Sequence, residues 1–331
     1  MKRYLNLILA LLLLAACEPL APDVEQAVIV ITNTPTASPA ASETPLFGNT
    51  IPERPTETPT RAVTLTPTVQ IIPTATLPPC NQTEGAFFES SYTSAIAGED
   101  VPYNVYLPPC FFESGRRYPL LILLHGSGYE YTQWDDLVIQ EVINNGLGED
   151  DGIAPMVVVM PEGGIFQETN GFDAGASYED MLLDELIPDI ERSYCILPEG
   201  NGRAIGGISR GGFWAFSIAL RHPDQFTAVG GHSPWFVPDN APSTHNPLAL
   251  SENAPGIEGL NIYLDNAQSD SGGANVIVLS NALRNRGVVH SYVINAVGDH
   301  SNDYWSAHLP EYLAFYSQTF PKDPAELPSC Q

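Results

Sequence analysis

The most constraining stretch of this chain is Arg203-Ala204-Ile205-Gly206-Gly207-Ile208-Ser209-Arg210-Gly211-Gly212-Phe213-Trp214-Ala215-Phe216. It carries a G-x-S-x-G pattern, Gly207 to Gly211, where an apolar run gives way to residues at helical spacing: Phe213, Phe216, Ser217 and Leu220. A serine on a tight strand-to-helix turn needs strained backbone dihedrals. There the chain passes so close to itself that side chains two residues to either side would clash, and glycine relieves the crowding. Such a turn aims the hydroxyl outward. It also sets the backbone N–H of Arg210 at the positive end of the following helix, where a developing oxyanion is stabilised.

The N-terminus has a different character. Lys2 and Arg3 precede an apolar core from Leu5 to Ala16 that is short for a membrane span and ends in small residues, so residues 1–16 read as a signal peptide. Leu14-Ala15-Ala16-Cys17 resembles a bacterial lipobox, which predicts a lipidated Cys17 and a membrane anchor outside the cytoplasm. From residue 17 to residue 79 the composition turns to Thr, Pro, Ala and Ser. Such a segment has too few large apolar residues to offset its ordering entropy, and it reads as a linker or stalk. Val28-Ile29-Val30-Ile31 is an apolar exception that the linker composition does not account for.

Residues 80–331 are long enough for one large domain with a substantial core. Their apolar runs alternate with helical patterns, which predicts an α/β fold on a mainly parallel sheet. Residues 87–93 and 101–107 read as an opening antiparallel hairpin. Leu120–Leu124 and Met156–Met160 are continuous apolar strands, as expected when both faces of a sheet are covered. Further strands are expected at 228–231, 261–264 and 288–294. Helices are expected at 178–194, after the serine turn, at about 275–286 and at about 304–320.

Of five cysteines, Cys80, Cys110, Cys195 and Cys330 lie in this domain. A hairpin turning near Ala97 brings Cys80 opposite Cys110, which predicts Cys80–Cys110 and, by elimination, Cys195–Cys330. A net charge of −26 with only two lysines argues against nucleic-acid binding, because phosphate contacts need cationic side chains.

Ser209 is a weak nucleophile unless a base takes its proton and a carboxylate orients that base. Of seven histidines, His300 is best placed, in the small-residue loop Val297-Gly298-Asp299-His300-Ser301 after the last strand. The carboxylate should follow a strand between the serine and the histidine. Asp265 and Asp270, in Asp265-Asn266-Ala267-Gln268-Ser269-Asp270, are near-equal candidates on the residues alone. Leu124-His125-Gly126-Ser127-Gly128 follows a buried strand ahead of the serine turn, which makes the Ser127 N–H the second oxyanion donor. His125 reads as a turn-stabilising residue.

Residues 101–320 resemble the bacterial esterase group that includes feruloyl and acetylxylan esterases, enterochelin esterase, esterase D and the mycolyltransferases. The likeness is carried by Leu124-His125-Gly126, Met160-Pro161-Glu162-Gly163-Gly164, Leu186-Ile187-Pro188-Asp189-Ile190, Gly206 to Gly212, Arg221-His222-Pro223-Asp224-Gln225-Phe226, and Gly298-Asp299-His300 with Trp305. The resemblance implies an α/β-hydrolase fold with Ser209 as nucleophile and His300 as base. Its D-x-G-x-x-D pattern favours Asp270 as the acid. Ala267 stands where the group often has glycine, and Arg210 where it often has Met, Leu or Phe, which could put a cation beside the acyl pocket.

The expected activity is hydrolysis of a carboxylic ester, small or carbohydrate-borne, with no metal or organic cofactor. Transfer of the acyl group to a cell-wall sugar, or a silent binding scaffold, are the rival readings. Tyr129, Trp134, Trp235 and Trp305 are expected to line the approach.

Overall fold

A computed structural model describes residues 28–32, 80–148, 152–169, 171–198, 200–236 and 241–330. Cys17 and the signal segment lie outside these residues. The described chain builds one sheet of nine strands: β1 Val28–Thr32, β2 Ala86–Ser94, β3 Glu99–Leu107, β4 Leu120–Leu124, β5 Val157–Pro161, β6 Arg203–Ile208, β7 Ala228–His232, β8 Asn261–Ala267 and β9 Ser291–Asn295. Their spatial order is β1-β9-β8-β7-β6-β4-β5-β3-β2. Strands β4 to β9 run parallel. The hairpin of β2 and β3 adds antiparallel to β5, and β1 pairs antiparallel with β9 at the opposite edge.

The continuous apolar strands are explained by two cores. Leu120, Ile122 and Leu124 of β4 face one side, with Val157, Val159 and Ile205 and with Phe213, Phe216 and Leu220 of the helix Arg210–Arg221. Leu121 and Leu123 face the other side, with Val158, Met160, Ala204 and the terminal-helix residues Leu313 and Tyr316. Because successive side chains of a strand point to opposite faces, a strand covered on both faces has no polar positions to alternate with.

Two helices depart from simple periodicity. The run from Tyr178 to Ser193 is helical throughout but widens to π geometry over Met181–Leu186. Pro188 sits just beyond the widened turn and cannot donate an N–H to the carbonyl four residues back. The terminal helix divides into Asn302–Ala307 and Leu309–Ser317 at His308. Pro310 disfavours helical geometry in the residue before it and is tolerated only in the first turn of a new helix.

The cysteines pair as Cys80–Cys110 and Cys195–Cys330, with Cα–Cα distances of 5.7 and 5.9 Å. The first bridge ties the chain ahead of β2 to the chain after β3. The second ties the C-terminal segment to the chain just after the helix that ends at Ser193.

Candidate active site

Ser209 lies between β6 and the helix Arg210–Arg221 at φ 53° and ψ −112°, a conformation that costs a non-glycine residue about 1–3 kcal/mol. The surroundings hold it there. Its N–H donates to the His232 carbonyl at the end of β7 (3.0 Å), and its own carbonyl accepts from Trp235 N–H (2.9 Å). The flanking glycines are required by close approach: a Cβ at Gly207 would overlap the backbone of Gly211, and a Cβ at Gly211 would overlap the carbonyls of Leu124 and His125.

The hydroxyl meets a histidine. His300 Nε2 is 2.9 Å from Ser209 Oγ, and His300 Nδ1 is 3.0 Å from Asp270 Oδ2. Ser209 follows β6, Asp270 follows β8 and His300 follows β9, so three residues far apart in the chain converge above the carboxyl edge of the sheet. With Nδ1–H donating to the carboxylate, the Nε2 lone pair faces the serine proton. The Asp270 side chain is fully buried while His300 keeps partial exposure. Burial alone would raise the Asp270 pKa, but hydrogen bonding from His300 and from the Gly272 N–H (2.7 Å) outweighs it and holds the carboxyl below its ordinary range.

The loop after β4 lies against Ser209: a Cβ on Gly126 would come 3.6 Å from the Cβ of Ser209. Gln133 Oε1 accepts the Gly126 N–H (2.7 Å), while Glu168 accepts from Ser127 Oγ (2.6 Å) and from Gly128 N–H (2.8 Å). These bonds fix the loop on either side of the Ser127 N–H, which no described group accepts. His125 is buried, with Nδ1 2.9 Å from the Gly126 carbonyl and Nε2 accepting the Gly163 N–H (3.0 Å). It holds turns together and does not approach Ser209 as a base. The Arg210 guanidinium donates to the carbonyls of Gln167 (2.9 Å) and Thr169 (3.1 Å) and lies over the Phe213 ring. The cation is folded back onto the helix Gly164–Glu168 and secures the segment that carries Glu168.

The family model for esterases matches residues 94–323, more than half the chain. The chain belongs to the Esterase family. Esterase Rv1288 of Mycobacterium tuberculosis (strain ATCC 25618 / H37Rv) is 33% identical over 147 residues, covering 43% of this chain and 30% of that protein. The endo-1,4-beta-xylanase/feruloyl esterase of Xylanibacter ruminicola is also 33% identical, over 153 residues that cover 43% of this chain and 20% of that protein. The chain therefore spans less than a third of the length of these relatives. Among solved structures, a ferulic acid esterase aligns with a TM-score of 0.65 and 24% identity, covering 72% of this chain and 99% of its own. S-formylglutathione hydrolase FrmB from Staphylococcus aureus aligns with a TM-score of 0.60 and 19% identity, covering 70% and 98%. The fold is that of the α/β-hydrolases.

The four aromatic residues expected at the approach to the site are distributed unevenly. Trp235 meets His300 edge-on at 5.7 Å and keeps some exposure, and Tyr129 is 40% exposed on the loop after β4. Trp305 packs edge-on against His300 at 5.1 Å but is buried, so it backs the histidine and does not face solvent. Trp134 is also buried, its Nε1–H donating to the Leu124 carbonyl (3.2 Å), and belongs to the core beneath the loop. A tryptophan on a short amphipathic turn gives no sign, in sequence, of which way it faces.

Asp265, the rival carboxylate, is occupied elsewhere. Its Oδ1 is 3.1 Å from His232 Nδ1, and its Oδ2 accepts from Tyr304 (2.5 Å) and Tyr312 (2.9 Å). Both His232 and Asp265 are completely buried. Glu168, Gln133 and this buried network were not anticipated from sequence. Their partners lie 7 to 169 residues away along the chain, and no motif spacing marks them.

Proposed function

We propose that this esterase is an extracytoplasmic, lipid-anchored serine esterase in which Ser209, His300 and Asp270 form the catalytic triad. What carries the reading is the unbroken hydrogen-bonded line from Ser209 Oγ through both nitrogens of His300 to the buried Asp270. His300 Nε2 takes the hydroxyl proton as Oγ bonds to the ester carbonyl carbon. The N–H groups of Ser127 and Arg210 receive the oxyanion. His300 then gives the proton to the departing alkoxide as the carbon–oxygen bond breaks, leaving an acyl-enzyme. Water repeats the sequence, releasing the acid and restoring the serine. Asp270 keeps the imidazole in the tautomer this requires.

Feruloyl or acetyl esters of carbohydrates are the substrate class. The likeness to proteins named for feruloyl ester cleavage favours them, as does an indole, Trp235, beside the imidazole where a planar acyl group or a sugar ring could stack. Two disulfides accord with an oxidising compartment, and the lipobox at Cys17 supplies the anchor. The test is hydrolysis of a short p-nitrophenyl ester and of feruloylated and acetylated sugars by the wild type and by Ser209→Ala. The expected result is turnover by the first and loss of turnover by the second with the fold intact by circular dichroism. Full activity in Ser209→Ala overturns the assignment.

A further inference from the structure

The strand β1 lies within the Thr- and Pro-rich segment and is its longest unbroken apolar run, yet it forms the outer strand of the sheet. Its register is Val28 opposite Asn295, Val30 opposite Val293 and Thr32 opposite Ser291. An edge strand such as β9 would otherwise present a row of unpaired N–H and C=O groups, and a β-branched segment of the same chain supplies the partner.

The direction of this pairing has a functional consequence. The carboxyl end of β9 leads to His300, so Asn295 stands at the catalytic edge of the sheet. Because β1 is antiparallel, Val28 stands at that edge too, and Thr32 stands at the opposite one. The chain therefore enters the sheet from the catalytic side.

Only ten residues separate Val28 from Cys17. At no more than about 3.6 Å per residue, they reach at most about 36 Å. Were the sheet joined to the anchor only through Cys80, the same limit over some sixty residues would be about 220 Å. The stretch from Thr32 to β2 then becomes a connection between the two outer edges of the sheet. Eight strand spacings of about 4.8 Å put those edges about 38 Å apart, well within its reach.

We infer that β1 is a staple that fastens the anchored N-terminus to β9 and turns the catalytic edge toward the membrane, so that the substrate is an ester displayed at the membrane surface. This rests on the anchored-esterase reading above. It deepens that reading by confining the enzyme to esters within a few nanometres of the bilayer, where tethering raises the effective concentration of enzyme at substrate.

The test uses the full-length lipidated protein in phosphatidylcholine vesicles, whose neutrality keeps the chain's negative charge from setting the orientation. A donor dye is placed at Val297→Cys, exposed near the catalytic edge, or at Val289→Cys, exposed at the opposite end of β9, with an acceptor on the lipid headgroups. Energy transfer is expected to be stronger from position 297 than from 289. Ile29→Pro with Val30→Pro should remove the difference, since one of two adjacent prolines deletes an N–H aimed at β9 whichever way the ladder is phased. The same double variant should keep its rate on a soluble ester and lose several-fold on an ester carried in the vesicle.

Separately, Val30→Cys with Val293→Cys should form a disulfide on oxidation. Equal transfer from the two positions, or no disulfide, overturns the staple. Absence of hydrolysis with the transfer difference intact overturns the esterase assignment alone, and failure to bind vesicles overturns the anchor and the membrane-facing orientation with it, leaving the disulfide to decide the β1–β9 pairing.

Discussion

Two aspartate–histidine pairs lie side by side at the carboxyl edge of this sheet, and they have opposite fates. In Asp270–His300 the Nδ1 to carboxylate distance is 3.0 Å, and in Asp265–His232 it is 3.1 Å. What differs is the far nitrogen and access to water. His300 Nε2 faces a serine hydroxyl and keeps a quarter of its side chain exposed. His232 Nε2 faces Tyr316 Oη (2.9 Å), its ring stacks on Tyr312 at 3.6 Å, and the pair is sealed. A histidine held by a carboxylate is therefore not a catalytic base by virtue of that bond. Under the proposed mechanism His300 differs in that its other nitrogen meets a hydroxyl whose proton it can accept as that oxygen attacks an ester.

The sharpest way to break the comparison is to alter each carboxylate. Asp270→Asn should lower kcat by about 10⁴, because the amide no longer holds the reactive tautomer, while the melting temperature stays close to that of the wild type. Asp265→Ala should do the reverse. It strands His232, Tyr304 and Tyr312 without their acceptor, so chemical denaturation should show a loss of about 3–5 kcal/mol with kcat within tenfold of wild type. Steady-state kinetics and urea midpoints on both variants decide the matter. If Asp265→Ala loses activity as deeply as Asp270→Asn while still folded, the division of labour is wrong.

This contrast also shows what a linear sequence can and cannot carry. The elbow was legible because part of its constraint is local: Gly207 is demanded by backbone contact with Gly211, four residues on, although Gly211 itself is demanded by the distant carbonyls of Leu124 and His125. The two-sided cover of β4 was legible for a similar reason, since five consecutive apolar residues leave no polar face. The cysteine pairing followed from a hairpin whose two ends must meet. Asp265 and Asp270, by contrast, were near-equal on the residues alone, because what separates them is supplied by Tyr304, Tyr312 and Tyr316 on helices 39 or more residues further on. The pinning of the loop after β4 by Glu168 was hidden in the same way. So was the partner of Val28–Thr32, whose apolar character was plain but whose mate lies more than 250 residues downstream.

Acid should sharpen the contrast further. Burial pushes His232 below its ordinary value despite the adjoining Asp265, and burial lowers His245 and His290 as well. For a histidine whose folded pKa is depressed, the denatured chain binds a proton that the native state refuses. The associated stability is complete above the unfolded value of about 6.5 and is lost as the pH falls below it, by up to about 1.4 kcal/mol per pH unit for each group. His308, raised by its hydrogen bond with Glu311, acts in the opposite sense and partly offsets the loss. Urea midpoints between pH 7.5 and 5 should therefore fall toward acid, with proton uptake on unfolding. A flat profile would mean that the sealed histidine is not held neutral.

The smallest expected effect is the most discriminating. Tyr316→Phe removes the hydroxyl that faces His232 Nε2 from a position wedged between β6 and β7, where a Cβ on Gly206 or Gly230 would overlap it. The ring still fits, but a buried nitrogen loses its partner, which costs about 1–3 kcal/mol. The kinetics should not change, because Ser209 is tied to His232 through the main chain: its N–H bonds to the His232 carbonyl, and no bond links it to the imidazole. Tilting or protonating the imidazole leaves that carbonyl in the ladder of β6 and β7. A melting temperature that falls while the pH profile of kcat stays fixed is the predicted outcome. If the pH profile moves with the stability, the sealed pair reaches Ser209 through more than its backbone, and the two pairs form one coupled system.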